Sequence, residues 1–100
     1  MSLRKKIRDW NVRRLLHIYA WARTDYEEWE LRVDTSDPRD KAKQADAIDQ
    51  NRRDMSRVVN ELYWSYGYRE DMWHDVGDMQ FYIWPSYEHV KDAITIGYKE

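Results

Sequence analysis

Arg69 and His74 form the pair in this chain best suited to act on a phosphate, with four residues between them. An imidazole exchanges protons near neutral pH, and a guanidinium forks onto phosphate oxygens. Asp71, Asp75 and Asp78 stand beside them. On a continuous helix, Asp71, His74, Asp75 and Asp78 would fall at i, i+3, i+4 and i+7 and share one face. Oxygen and imidazole ligands so placed can hold a divalent ion. A di-metal bundle needs a carboxylate-x-x-His pair from each of two helices, and Asp71-x-x-His74 occurs once. Eleven Arg and three His in a hundred residues also produce this kind of Arg-to-His spacing about once by chance. A solvated, ion-paired face is the ordinary use of such a cluster.

The run Arg69-Glu70-Asp71-Met72-Trp73-His74 resembles the Arg-x4-His motif of the HEPN nucleases, all-α domains that cleave RNA as dimers. The resemblance covers six residues and the general helical build. It implies His74 as the acid/base and Arg69 as the group that stabilises phosphate charge. The acids Glu70, Asp71, Asp75 and Asp78 oppose this, because they repel an RNA backbone. Glu27-x-x-Glu30 followed by Asp46-x-x-Asp49 is similar to the four-carboxylate magnesium site of the MazG-like nucleotide pyrophosphohydrolases, with Asp46 where that family has Glu. On helical wheels these carboxylates point apart. An enzyme of either kind, a HEPN-like RNase or a metal-dependent hydrolase, is the alternative to a non-catalytic role.

The three glycines are scattered and build no phosphate loop, no Ser or Cys sits in a nucleophile context, and no cofactor is expected. Without cysteine there is neither a disulfide framework nor a thiolate metal site. The longest apolar run, Ile18 to Ala22, is far too short for a membrane span or a secretory core, so a soluble chain in the cytoplasm is the default expectation. Leu, Ile, Val and Phe are few, whereas six Trp and eight Tyr supply the apolar surface of a chain with net charge −2. Each ring brings roughly 150–250 Å² of buriable area. Trp, Tyr and Arg also dominate binding hot spots.

Leu3 to Val33 is the element that must position everything else. At 100° per residue its apolar side chains, from Trp10 round to Val12, fill an arc of about 200°, roughly twice an ordinary amphipathic stripe. One neighbouring helix cannot cover that arc. It requires two elements of the same chain, or one of its own and one from a partner. Residues 1–24 carry seven Lys or Arg against Asp9, and residues 25–37 carry six acids against Arg32. Both halves oppose the helix dipole, so something acidic is expected near the helix start. Glu70, Asp71, Asp75 and Asp78 are the intramolecular candidates. A nucleic-acid-binding role for this basic helix is a further alternative, but its charges are spread around the wheel and do not form one stripe.

Asp37-Pro38 with Asp40 marks the start of a second helix, and Gly67 its left-handed stop. Ala45, Ile48, Met55, Val59, Leu62 and Tyr66 form its seam, with Arg52 among them and expected to stack on Tyr19. A short connection makes the two helices an antiparallel hairpin. In the last third, Arg69 to Val76 is expected to form a short helix closed by Gly77, and Pro85-Ser86 to start a final helix through Tyr87, Val90 and Ile94. The run from Asp78 to Trp84 is open between strand and helix. The expected fold is all-α: residues 1–34 and 37–67 as long helices, with 68–100 as shorter helical segments packed across them. The expected function is non-catalytic protein–protein interaction, with a protein partner or a second copy. Its contact candidates are Trp10, Trp21, Trp29, Trp64, Trp73 and Trp84 with Arg13 and Arg14. Trp64 leads them, because it points about 160° from the helix-2 seam.

Overall fold

A computed structural model describes residues 2–32 and 37–99. Helix α1 runs Leu3–Leu31, and helix α2 runs Pro38–Asn60. The α2 start is the one expected: the Asp37 carboxylate accepts the Arg39 backbone N–H at 2.9 Å, and Pro38 opens the first turn. The connection at residues 33–36, and with it the end of the first helix at Val33 and the Asp34–Ser36 part of the turn, lies outside the described residues. After Asn60 the backbone widens into a π-helical turn, Glu61–Ser65, and Gly67 then takes a positive φ of 72°.

The remainder of the chain overturns the all-α expectation. Strands β1 (Trp73–Val76), β2 (Met79–Ile83) and β3 (Ile94–Tyr98) form an antiparallel sheet in the order β1-β2-β3. Among the described residues no final helix packs across the hairpin. Pro85-Ser86 lies in the connection to β3, which includes only the 3₁₀ turn Val90–Asp92. The cause is local. Val76 pairs with Met79, so Gly77-Asp78 is a two-residue hairpin loop with φ of 60° at Gly77 and none positive at Asp78. Glycine first and an ordinary residue second is the pattern of a type II′ turn. Gly77 turns a hairpin here and does not end a helix. Gly77→Ala would force a side chain into left-handed backbone, with only van der Waals contact to Arg13 in the way. The expected cost is about 1–2 kcal/mol, read as a lower thermal midpoint with the helical circular dichroism retained.

Strand alternation then sorts the faces. His74, Val76, Met79, Phe81, Ile83, Ile94 and Ile96 turn inward, and Trp73, Asp75, Gln80, Tyr82 and Thr95 turn outward. The core joins three surfaces: Val12, Leu16, Tyr19, Ala22 and Tyr26 of α1, Met55, Val58, Val59 and Leu62 from α2 and its extension, and the inner face of the sheet. The Tyr19 hydroxyl donates to the Val90 carbonyl at 2.5 Å and accepts from the Ile94 N–H at 3.2 Å, pinning α1 to the start of β3.

The α2 seam holds Ile48, Met55, Val59, Leu62 and Tyr66 as expected and differs in its polar member and at Ala45. Asn51, not Arg52, is the buried polar residue, and its Nδ2 donates to Asp25 at 2.9 Å. Arg52 faces outward on the same side as Trp64, and the cation over the Tyr19 ring is Arg23, at 5.9 Å. Ala45 is exposed. The whole measures 55 × 28 × 27 Å, an elongated body set by α1.

Candidate interaction surfaces

The broad arc of α1 divides in two. Its buried half holds the five core residues, covered by α2 and by the sheet. Its other half faces water: Leu3 is 72 % exposed, Ile7 51 %, Trp10 62 % and Trp21 65 %, with Ile18 at their edge. Leu3, Ile7, Trp10, Arg14, His17 and Trp21 alternate in steps of four and three, the spacing of a straight seam. This line runs along the helix side opposite Val12, Leu16, Tyr19 and Tyr26. Beside it, Asn11, Arg14, Leu15 and Ile18 line a groove against Val58 and Tyr66.

The outer face of the sheet is a second aromatic surface. The Trp73 and Tyr82 rings meet at 5.5 Å, and the Tyr82 and Trp84 rings at 4.7 Å. Trp84 donates its indole N–H to Thr95 Oγ1 at 2.9 Å. The Tyr82 hydroxyl donates to Asp71, whose bond holds the phenol pKa above its ordinary value. Asp71 sits at φ 63°, and its backbone N–H donates to the Ile83 carbonyl at 2.6 Å. The bond from Asp71 N–H ties residue 71 to the end of β2, and the Asp71 side chain holds the Tyr82 ring in place.

Strand geometry separates the residues that helical spacing had grouped. His74 points inward, its ring 4.8 Å from Tyr68 and 5.1 Å from Phe81, while Asp75 points outward. A ring nitrogen of His74 lies 2.6 Å from the Arg69 carbonyl. A carbonyl only accepts, so that nitrogen carries the proton. Asp75 pairs with Lys99 at 3.4 Å, Asp78 with Arg13 at 3.0 Å, and Asp71 with Tyr82. Among the described residues no group of three or more His, Asp or Glu converges as a metal site would require. In the four-carboxylate set, Glu30 pairs with Lys91 at 3.2 Å and Asp49 with Arg53 at 2.7 Å.

Among the described residues the acidic segment meets the basic start of α1 at only one ion pair, Arg13–Asp78. Arg8 instead donates to the Tyr66 carbonyl at 2.7 Å and lies over the Tyr68 ring at 5.2 Å. Trp29 is half-buried under the Arg32 guanidinium, 4.2 Å from its centroid. Trp64, on the π-helical turn, is 78 % exposed and edge-on to Tyr63.

Sequence reasoning placed Trp10 and Trp21 among the contact candidates and missed Leu3, Ile7 and Ile18 beside them, having counted all five as one apolar arc. It also missed that Tyr82 lies between Trp73 and Trp84, although residues 82 and 84 share a face in any strand. Among the described residues no helix is long and apolar enough to cross a membrane. Compared with known protein families, curated proteins and solved structures, the chain matches none.

Proposed function

We propose that this chain is a small non-catalytic interaction module that docks on a protein through the outer stripe of α1. One observation carries the reading: Leu3, Ile7, Trp10 and Trp21 line up on the helix side opposite the core, with Ile18 at their edge and, among the described residues, no element of the chain over the four. Scattered exposed apolar residues are ordinary on a protein surface, but large ones aligned along one side of one helix mark an association site. Its width suits one helix laid against it, with Trp10 and Trp21 as the anchors. The interior of the protein does not need these rings, so they can change without unfolding it.

Affinity capture tests the reading, comparing the tagged wild-type chain with a Trp10→Glu/Trp21→Glu variant of the same helical content. Proteins held by the wild type should bind the variant at least about 30-fold more weakly, the effect of losing a hot spot worth about 2 kcal/mol. Equal retention by both chains would reject the stripe as the docking face.

A further inference from the structure

Charge and helix polarity specify what fits the α1 stripe, if that stripe is a docking face. Among the described residues, the cations in ion pairs are Arg13, Arg53, Arg57, Lys91 and Lys99. Arg4, Lys5, Lys6 and Arg14 on the amino-terminal half of α1 are in none of these pairs, and neither are Glu27 and Glu28 on its carboxyl-terminal half. The helix has no acid in its first turn and no base in its last, so both ends carry charge of the sign its dipole disfavours. A surface acidic at one end and basic at the other, read in the opposite direction, would relieve both ends together. The outer face of α1 has that layout itself.

We infer that the occupant of the stripe is a second copy of this chain, laid antiparallel so that Trp10 of each copy meets Trp21 of the other. In that register Lys6 of each copy stands beside Glu28 of the other, twice over by symmetry. The acids of each copy stand at the positive amino-terminal end of the other's helix. The apolar steps of four and three match a two-helix seam, interrupted at its centre by Arg14 and His17, which lie across from each other. The four tryptophans each leave about 100–150 Å² to cover. With Leu3, Ile7 and Ile18 from both copies, the buried total is on the order of the 1,000 Å² that separates specific interfaces from incidental ones. The core lies on the other side of the helix, so neither sheet obstructs the approach. Only the reverse orientation works: a parallel pair would set base against base and acid against acid.

Sedimentation equilibrium of the purified 100-residue chain is the first measurement, with an expected mass of twice 12.4 kDa. Trp10→Ala and Trp21→Ala should each raise the dimer dissociation constant at least about 30-fold while leaving the circular dichroism unchanged. Glu28→Lys should weaken the dimer in low salt, and raising the salt should narrow the difference from wild type. The chain contains no cysteine, so orientation can be read by cross-linking. Leu3→Cys mixed with Glu28→Cys should join through a reagent of about 10 Å, whereas Leu3→Cys alone should not, since its two copies would lie about 38 Å apart along the axis.

A monomer at several hundred micromolar would overturn the self-pairing. So would a dimer indifferent to both tryptophans, self-cross-linking by Leu3→Cys, or a monomer whose stripe binds vesicles containing phosphatidylserine. Loss of captured proteins by Trp10→Glu/Trp21→Glu alongside a monomeric wild type would sink the self-pairing and leave the docking reading standing.

Discussion

Phe81→Ala should lower stability by about 3–5 kcal/mol, a large share of the roughly 5–15 kcal/mol that holds a domain of this size together. Phe81 is wholly buried at the centre of the middle strand, between His74 of β1 and Ile96 of β3. Its ring takes the edge of Tyr68 at 5.0 Å and lies 5.1 Å from His74. The cavity left by truncation would open where the sheet meets the helices, and the backbone cannot close it without breaking register with both neighbouring strands. In a thermal melt the midpoint should fall by about 15–30 °C. Amide exchange should show the sheet opening before the helices. A fall of only a few degrees would mean that the sheet does not rest on the hairpin through this residue.

The second large effect belongs to Tyr19. Its hydroxyl is buried against the Val90 carbonyl and the Ile94 N–H, and burial pushes its pKa up from 10.0 to about 12. The folded chain therefore holds the phenol proton more tightly than the unfolded chain does. The corresponding stability is complete below about pH 10 and is lost as pH rises from 10 towards 12, amounting to about 2–3 kcal/mol. Burial shifts Tyr68 in the same direction and adds to the alkaline loss. Tyr19→Phe should cost about 1–3 kcal/mol at neutral pH, because it strands the buried Ile94 N–H, whereas the Val90 carbonyl keeps the Ala93 N–H at 3.1 Å. In exchange, its stability should fall less steeply between pH 10 and 12. Parallel alkaline profiles for the two proteins would show that this phenol does not govern the titration.

The helical two-thirds of this chain were legible because their signals are strong and local. Asp37-Pro38 starts a helix by capping chemistry alone, Gly67 stops one, and Met55 and Leu62 fall in the core at helical spacing. The polar member of the seam was misplaced by one residue because hydropathy ranks Asn51 and Arg52 alike. Only the Asp25 carboxylate across the hairpin decides that the amide goes in and the guanidinium stays out. The sheet was misread for a different reason. Glycine after an apolar residue closes a helix or turns a hairpin with equal ease, and Val76-Gly77-Asp78-Met79 fits both. Alternation on either side, Trp73 to Val76 and Met79 to Ile83, together with the β-branched Ile94-Thr95-Ile96, was the evidence for strands. Reading Asp71, His74, Asp75 and Asp78 as one helical face followed from the same error. The width of the α1 arc was visible in sequence. Which half the chain would cover was not, because that depends on partners far away in the sequence.

The π-helical turn at Glu61–Ser65 sets the phase between the two halves of the molecule. A turn of this kind takes in one residue more than an ordinary helical turn, so the backbone leaving it is rotated by about 100° from where an uninterrupted α2 would send it. Tyr66 and Tyr68, which receive Arg8, lie just beyond that offset, as does the path into β1. The seating of the sheet on the hairpin is thus indexed by a single surplus residue, and one deletion there would turn the carboxyl-terminal third as a cog slipped by one tooth turns a shaft.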